Sequence, residues 1–367
     1  MSATVKEPLF HVVKRDQSSL MRGVLVRVIA IVLALLVSAV VIVLLTGMNP
    51  LHVYAALWDG AVGTSRRAWI TTRDAAILLC IGFAVMPAFR MRFWNTGAEG
   101  QVLVGAMATA AVMIYGKNLP SWALYTLCPL AGIAAGALWG VIPAFFKAHW
   151  GTNETLFTLM LNYIATQLVA FGIIFWENPP RSNSVGLINA KGKIGWLPNI
   201  GKNSYLLPIL IVVGLALILF VYMRYTKQGY EISVVGESEN TAHYAAINVK
   251  RVIIRTMAIC GGIAGIAGYL LASGVGHTIS TGLAGGRGFT AIIVAWLGKL
   301  NPFAMMLVAF GLVFMEKGAL EIASQFNLNE NASEILTGIL LFFILGCEFF
   351  INYRLEFRKH DKEGVKA

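Results

Sequence analysis

Arg90-Met-Arg-Phe-Trp-Asn-Thr-Gly-Ala-Glu-Gly-Gln101 is a polar stretch between two long apolar runs, and it contains Asn95, Glu99 and Gln101. A carboxylate at bilayer depth has to face protein, water or a partner, because lipid offers it no hydrogen bond. Irregular backbone at that depth is tolerated only where protein buries it or where it lines a cavity. The stretch therefore predicts one of two structures. The first is a broken or re-entrant element beside a transport path. The second is a cytoplasmic turn in which Asn95 caps a helix and Glu99 lies in its first turn.

The composition places this stretch in a membrane protein. Of the 367 residues, 57% are apolar and only 13% are charged, whereas a soluble domain carries about 25% charged residues. Repeated apolar runs near bilayer-spanning length predict an all-α polytopic membrane protein. Basic loops held against anionic lipid heads explain the net charge of +11, so nucleic acid is not needed as a partner. The four cysteines lie singly in apolar runs, which argues against disulfides and metal sites.

The order of apolar and basic segments predicts the topology. A basic arm (residues 1–27) and a basic tail (residues 353–367) flank a transmembrane domain (residues 28–352), and the positive-inside rule places both termini in the cytoplasm. Two cytoplasmic termini require an even number of spans. We expect about ten, or eight if the short apolar pieces are re-entrant. Residues 177–204 form the longest external loop, although their basic residues argue against that side. Residues 223–251 form a polar cytoplasmic loop.

Small residues are concentrated in one apolar run in the last third of the chain. Gly261 and Gly265 are spaced by four residues, and so are Ala264 and Gly268. Such spacing lets a neighbouring helix approach closely, so we interpret this run as a packing surface and not as a ligand site.

The sequence lacks the motifs of the common catalytic sites. It has no G-x-x-x-x-G-K-[ST], no H-E-x-x-H and no G-x-S-x-G. No catalytic residue, metal site or cofactor is therefore expected in this chain, and we do not expect it to be an enzyme. The six histidines are scattered, and His277 is interpreted as an ordinary hydrogen-bonded surface histidine.

The polar loop contains a second informative segment, from Gly236 to Asn248. Its alanines favour a short helix, and Ser238 is the expected cap. A cytoplasmic helix flanked by basic residues either docks into a partner's groove or remains a solvated loop helix. The residues alone leave both possibilities open.

Three motifs identify a family resemblance. Trp94-Asn-Thr-Gly-Ala-Glu-Gly-Gln101 resembles the F-N-I-G-A-E-G-Q signature of permease subunits of bacterial ABC importers for nucleosides and simple sugars. The segment from Asn153 to Ala165 resembles the family's N-E-x-x-x-T-L-M-L-N-Y-I-A, and the segment from Gly288 to Pro302 is similar to G-F-x-x-I-A-V-A-L-L-G-x-x-N-P. The polar loop matches G-x-N-P-x-A-A-x-Y-A-G-I-N in outline, with Ala246 where the family has glycine. The matches recur in order over most of the chain, within the branched-chain amino acid and ribose-type permease superfamily.

The resemblance implies both a fold and an assembly. The fold would be like that of the type II ABC importers, with broken or re-entrant helices. The partners would be a second permease, an ATPase dimer that binds the ATP, an extracytoplasmic substrate-binding protein and the lipids of the bacterial cytoplasmic (inner) membrane. The longer of the family's two permease types carries the second motif, so the resemblance implies a heterodimer of different permeases.

The implied cargo is a nucleoside or a simple sugar, which is neutral and rich in hydroxyl groups. Its path needs uncharged hydrogen-bonding groups and aromatic faces. Each suitable residue could equally be a helix–helix contact, and Glu99 is expected to be structural or gating. The predicted path residues are Asn95, Glu99, Gln101, Asn153, Asn162, Tyr163 and Phe289.

The resemblance also implies that the segment from Gly236 to Ile247 is the coupling helix that contacts the ATPase. Ile247 is expected to neighbour His243 and Tyr244 at helical spacings of four and three, with Tyr244 as the main anchor. The predicted coupling residues are Gly236, Glu237, His243, Tyr244 and Ile247.

An ion-coupled secondary transporter of a small polar solute is the alternative. Such a transporter needs carboxylates within the spans to carry protons or bind sodium. Glu99 and Glu154 are the candidates, with Glu316, Glu321 and Glu348 further along the chain. It does not need a coupling segment, which is the feature that separates the two hypotheses.

Overall fold

The computed structural model describes residues 10–14, 20–47, 49–201, 203–326 and 330–357. Much of the predicted arm (1–27) and of the predicted tail (353–367) lies outside the described residues. Two compact units divide the chain: one comprises Val62–Phe314, and the other combines the two ends, Met1–Ala61 and Met315–Ala367.

The elements are, in order, β1 (Phe10–Lys14), α1 (Leu20–Thr46), α2 (Pro50–Val62), α3 (Ser65–Arg90), α4 (Ala98–Tyr115), α5 (Ser121–Trp150), α6 (Glu154–Trp176), α7 (Leu206–Tyr225), α8 (Lys227–Glu237), α9 (Glu239–Tyr244), α10 (Val249–Tyr269), a π-helical turn (Leu270–Gly276), α11 (Arg287–Leu297), α12 (Pro302–Gln325), α13 (Glu330–Asn352) and β2 (Tyr353–Phe357).

The predicted fold class is confirmed, since helices dominate the described residues. Among these residues, eight helices are long and apolar enough to cross a bilayer: α1, α3, α4, α5, α6, α7, α10 with its π-helical turn, and α12. This number is the lower of the two expected counts. α11 has only 11 residues and is too short to cross alone, as its apolar run predicted.

The unit formed by the chain ends has a two-stranded ribbon and a small helical core. β1 pairs antiparallel with β2, from Phe10 opposite Phe357 to Lys14 opposite Tyr353. The two paired segments therefore lie on one side of this unit. Its helices pack through a cluster of buried apolar side chains, which consists of Ile42, Val53, Ala56 and Ile322.

In the core of the larger unit, α10 packs against α5 and α4 along a seam of glycines. We define the seam as Gly105, Gly132, Gly136, Gly140, Gly261 and Gly265. A Cβ atom added to Gly265 would lie 2.0 Å from the Gly132 carbonyl oxygen, and one added to Gly136 would lie 2.2 Å from that of Gly261. Only hydrogen fits at such contacts, so any side chain there forces the backbones apart. The predicted packing role of the small residues on α10 is confirmed.

Candidate functional site

The stretch between α3 and α4 turns back along α11. α3 ends at Arg90, and Arg92 has a φ of 59°, a left-handed conformation that reverses the chain. The Trp94 ring then stacks on Trp296 near the end of α11, with ring centroids 5.6 Å apart. Five residues later, Glu99 reaches the beginning of α11. The segment 94–99 thus runs antiparallel to α11.

α11 itself runs parallel to the second half of α3. Near its start, Arg287 lies 3.9 Å from the Asp74 carboxylate. Near its end, the Trp296 ring lies 5.9 Å from that of Phe89. α4 therefore begins beside the start of α11, well back from the end of α3. The chain therefore folds back between α3 and α4, as the prediction of a broken element requires.

The cap predicted by the other possibility is wrong. The N-cap residue of α4 is Gly97, which has no side chain to accept a hydrogen bond. Asn95 lies two residues earlier, and its Oδ1 accepts the Gly97 amide at 3.1 Å. Glu99 does lie in the first turn of α4, as predicted.

A group of buried amides holds the broken segment in place. Gln101 Nε2 donates to Asn95 Oδ1 at 3.2 Å, and both side chains are buried. Asn162 of α6 accepts the Gly100 amide at 2.8 Å and donates to the Thr96 carbonyl oxygen at 2.8 Å. A buried backbone group without a partner is costly, so these contacts stabilise a segment that has no helical hydrogen bonds of its own.

Sequence reasoning missed Thr158, which belongs to the same group. It is fully buried on α6, and its Oγ1 lies 2.9 Å from Oγ1 of Thr96. The signal was available, because Thr158 is the threonine of the second motif. Thr158 follows Glu154 by one helical turn and precedes Asn162 by one turn. The motif therefore places Thr158 and Asn162 on one face of α6.

Glu99 forms the N-terminal cap of α11. Its two carboxylate oxygens accept the Gly286 amide at 2.8 Å and the Gly288 amide at 2.7 Å. Amides at a helix start have no partner within the helix, and a negative charge there is stabilised by the helix dipole. Gly288 permits the contact, because a Cβ atom at this position would lie 2.5 Å from the Glu99 nitrogen.

The start of α11 also holds a charge-balanced cluster. Asp74 is buried and forms an ion pair with Arg73 at 2.7 Å, in addition to the longer contact with Arg287. The Arg73 guanidinium also lies over the Tyr205 ring, 5.4 Å from its centroid. Two carboxylates and two guanidinium groups therefore meet near the same helix end.

α11 has one buried face and one exposed aromatic edge. Gly288, Ala291, Val294 and Ala295 are buried. Phe289 and Trp296 lie two helical turns apart on α11, and they are 45% and 49% exposed. Trp94, which lies beside Trp296, is 46% exposed. We call Trp94, Phe289 and Trp296 the aromatic edge.

The remaining predicted path residues lie apart from the buried amides. Asn153 is exposed and caps α6 by accepting the Leu156 amide at 3.2 Å. Tyr163 is 70% exposed, although its neighbour Asn162 is buried. The structure thus brings together Asn95, Glu99, Gln101 and Asn162, with Phe289 on the helix that Glu99 caps.

The predicted coupling segment contains two helices instead of one. α8 ends at Glu237, which is exposed, and Ser238 caps α9 by accepting the Thr241 amide at 3.3 Å, as predicted. Gly236 lies directly against the end of α3, since a Cβ atom there would be 2.0 Å from the Arg90 carbonyl oxygen. The segment is therefore joined tightly to the point where the broken stretch begins.

The predicted spacing of the coupling anchors is wrong. α9 ends at Tyr244, and the chain then leaves the helix through Ala246, whose φ is 55°. The Ile247 amide donates back to the Ala242 carbonyl oxygen at 2.9 Å, which is the Schellman arrangement of a helix end. Ile247 is half-buried against the core, whereas His243 is exposed and Tyr244 is 93% exposed. Ile247 therefore does not continue a helical face with the other two.

His277 is not the surface histidine that the sequence suggested. It is half-buried, and its ring stacks on Trp196 of the loop 177–204 with centroids 3.6 Å apart and planes 2° apart. The Ile188 amide donates to the His277 carbonyl oxygen at 2.8 Å. Burial, together with nearby Lys193 and Arg73, lowers the pKa of His277 below its ordinary value of 6.5.

Comparisons with known proteins agree with this architecture. A family model described as the permease component of branched-chain amino acid transport systems matches residues 68–345. The chain is 30% identical to the nucleoside ABC transporter permease protein NupB of Lactococcus lactis, over 94% of this chain and 96% of that protein. It is 32% identical to the guanosine ABC transporter permease protein NupP of Bacillus subtilis, over 87% and 92%. It is 26% identical to the glucose ABC transporter permease protein TsgB13 of Haloferax volcanii, over 93% and 91%.

The match covers most of the chain and includes α3 to α12, with the broken stretch, the buried amides of α6 and the capped α11. The chain therefore belongs to the family of branched-chain amino acid transport system permease components, and it is a multi-pass permease subunit of an ABC transporter.

Proposed function

We propose that this chain forms one wall of the path by which an ABC importer carries a nucleoside across the bacterial cytoplasmic membrane. The aromatic edge is the observation that supports this cargo. Nucleobases stack on aromatic faces, and each such contact is worth about 1–3 kcal/mol when an aromatic side chain is removed. Two relatives described above are named for nucleoside or guanosine transport, whereas one is named for glucose.

The exposure of the aromatic edge supports a second permease as partner. Three large aromatic side chains are exposed on one short helix and its neighbouring segment, and in this proposal a second permease covers them. In this proposal a different permease supplies the opposite wall, and an extracytoplasmic binding protein delivers the cargo. A separate ATPase dimer binds and hydrolyses ATP, so this chain needs no cofactor. In this proposal both termini are cytoplasmic.

The contacts of α8 suggest how the ATPase moves the path. α9 docks on the ATPase through exposed side chains, chiefly Tyr244. Movement of α8 is passed to the end of α3 through the tight contact of Gly236 with Arg90. The broken stretch begins one residue later and ends at Glu99, which holds α11. ATPase closure thereby biases two arrangements of α11 and of the aromatic edge it carries.

Two of the carboxylates that the secondary-transporter alternative could use already have partners. Glu99 accepts two backbone amides, and Glu154 forms an ion pair with Lys147 at 2.9 Å. Binding of a proton or a sodium ion at either carboxylate would have to disrupt these contacts, which opposes a role for the two in ion coupling.

Uptake by the complete importer in liposomes, measured against a panel of nucleosides and simple sugars, tests the proposal. We expect ATP-dependent nucleoside uptake, and we expect Trp296→Ala to reduce it about tenfold or more, as the loss of one stacking contact implies. Phe175→Ala is the matched control, because Phe175 is 68% exposed on α6, outside the aromatic edge. Uptake of glucose without nucleosides, or equal effects of the two variants, would contradict the proposed cargo path.

A further inference from the structure

A cleft of about 710 Å³ lies on the side of α8 and α9, between the ends of α3 and α7 and the turn from α11 to α12. Its charged lining is unbalanced. Arg90, Arg224 and Lys299 contribute three positive charges, and Glu237 contributes one negative charge. This volume is in the range of pockets that enclose small ligands, which is about 300–1,000 Å³.

The two arginines are held in place without a carboxylate. Nε of Arg90 donates to Oγ of Ser233 at 3.0 Å, and Ser233 donates in turn to the Gly229 carbonyl oxygen at 3.1 Å. Arg224 lies beside the Phe220 ring, 6.0 Å from its centroid. Among the described residues, neither arginine forms an ion pair. Two guanidinium groups that form no ion pair suit a ligand with several anionic oxygens, since arginine binds phosphate through paired hydrogen bonds.

Part of the remaining lining is apolar, and the apolar surface continues beyond the cleft. Met86, Phe220, Met223 and Leu300 line the cleft itself. The Phe220 ring of α7 contacts Phe303 of α12, with centroids 5.5 Å apart. Along these two bilayer-spanning helices, Leu217, Val221, Phe303 and Leu307 are exposed. A ligand of the cleft can therefore have an anionic head and a long apolar tail.

We propose that this cleft binds the phosphate headgroup of an anionic phospholipid, with the acyl chains lying along α7 and α12. Basic pockets between membrane helices bind acidic lipid headgroups by the same chemistry. A soluble phosphate offers the same oxygens to the arginines but does not use the apolar surface.

The position of the cleft links this lipid to the moving parts. One wall belongs to α8 and α9, through Ser233 and Thr241. Another part of the lining is the turn after α11. In this turn Lys299 and Leu300 both have positive φ and donate amide hydrogen bonds back to the Trp296 and Ala295 carbonyl oxygens at 3.0 Å. A bound headgroup bridges the coupling helices and the end of α11, so its presence shifts the balance between two arrangements of these elements.

The test uses the complete importer in nanodiscs of phosphatidylcholine with or without phosphatidylglycerol. Bound phosphatidylglycerol is counted by native mass spectrometry after transfer from the nanodiscs. We expect the parent to retain it, and the double variant Arg90→Gln, Arg224→Gln to retain it at least about tenfold less, because charge-assisted hydrogen bonds are lost. The charge-matched control is Lys227→Gln, Lys250→Gln, which removes two charges from neighbouring segments outside the cleft.

A second variant separates binding from folding. Arg224→Lys keeps the charge but loses the paired geometry, so it should retain the lipid at an intermediate level. Phosphatidylglycerol should also raise ATP-dependent uptake by the parent and by the lysine control, but not by the double variant. Equal lipid retention by the double variant and its control would overturn the proposal. So would displacement of the lipid by inorganic phosphate at equal concentration, which assigns the cleft to a soluble anion. Loss of ATPase association with unchanged lipid retention would assign it to the ATPase.

Discussion

The Glu99 carboxylate accepts the Gly288 amide at 2.7 Å, across 189 residues of chain. Through this contact Glu99, a residue of the first family motif, caps α11, the helix that carries the third motif. A short helix with a glycine before it and another inside its first turn has little stability alone. Its position therefore depends on a residue of α4.

Replacing Glu99 tests this dependence. Glu99→Ala removes both acceptors, and since hydrogen bonds to a charged group contribute about 1.5–3 kcal/mol each, we expect a clear drop in thermal stability and loss of uptake. Glu99→Gln keeps one acceptor and should retain part of both. Uptake by the parent should require ATP and should not change when the proton gradient is collapsed. Uptake that an uncoupler abolishes at constant ATP would make Glu99 a proton carrier, contrary to the cap. Glu237→Gln, at an exposed carboxylate, is the control.

Gly288→Ala tests the same contact from the other side. The added Cβ atom would meet the backbone and Cβ of Glu99 at 2.5–2.8 Å, so α11 has to move away and the cap weakens. We expect a loss of stability of about 1–3 kcal/mol, typical of overpacking. Gly282→Ala is the control, because its Cβ atom meets nothing within 4 Å. Thermal unfolding of the purified complex compares the two, and an equal midpoint for both variants would show that α11 does not need the close approach.

Ala246→Gly should stabilise the end of α9. Ala246 has a φ of 55° at a helix end where glycine is favoured, and the left-handed conformation costs a non-glycine residue roughly 1 kcal/mol. We expect slower hydrogen exchange at the Ile247 amide, which closes the motif. Ala245→Gly, at a φ of −82°, should instead speed exchange. Faster exchange in Ala246→Gly would mean that the conformation is not strained.

Tyr244→Ala should uncouple the ATPase while leaving the permease folded. Tyr244 is 93% exposed at the end of α9, so its loss removes no internal contact, whereas truncating an aromatic anchor of an interface often costs about 2 kcal/mol or more. We expect weaker co-purification of the ATPase and no substrate-stimulated hydrolysis. Glu237→Ala should have a much smaller effect. If Tyr244→Ala co-purifies and hydrolyses like the parent, the docking surface lies elsewhere, and residues 147–154 are the next candidate.

Acidification should loosen the contact of His277 with the loop 177–204. Because the pKa of His277 is lowered in the folded protein, the neutral ring is the form that the fold favours. Its contribution to stability is complete above the ordinary value of 6.5 and is lost as the pH falls from there through the lowered pKa. We expect the midpoint of thermal unfolding to fall between neutral pH and about pH 5 by more in the parent than in His277→Phe, which keeps a ring against Trp196. Equal shifts in both would show that this histidine stays uncharged.

The sequence predicted local features better than distant contacts. The apolar runs predicted the helices, and the spaced glycines of α10 predicted the seam. Ser238 was correctly predicted as the cap of α9. Each of these features depends on residues that are close together in the sequence. The partner of Glu99 could not be predicted, since the start of α11 follows it by 187 residues and no local pattern relates the two. Ile247 was misplaced because Ala246 adopts a conformation that alanine rarely takes. The roles of the path and coupling residues remain predictions.

The glycine seam has a consequence for protein engineering. Because hydrogen is the only group that fits between α10 and the helices beside it, these positions offer no freedom for redesign, and a change there tests only whether the chain still folds. The aromatic edge has the opposite property: its side chains are exposed, and shortening them leaves no cavity in the core. Attempts to alter cargo preference by directed evolution should therefore concentrate mutational diversity on Trp94, Phe289 and Trp296, and should keep the six seam glycines fixed in every library.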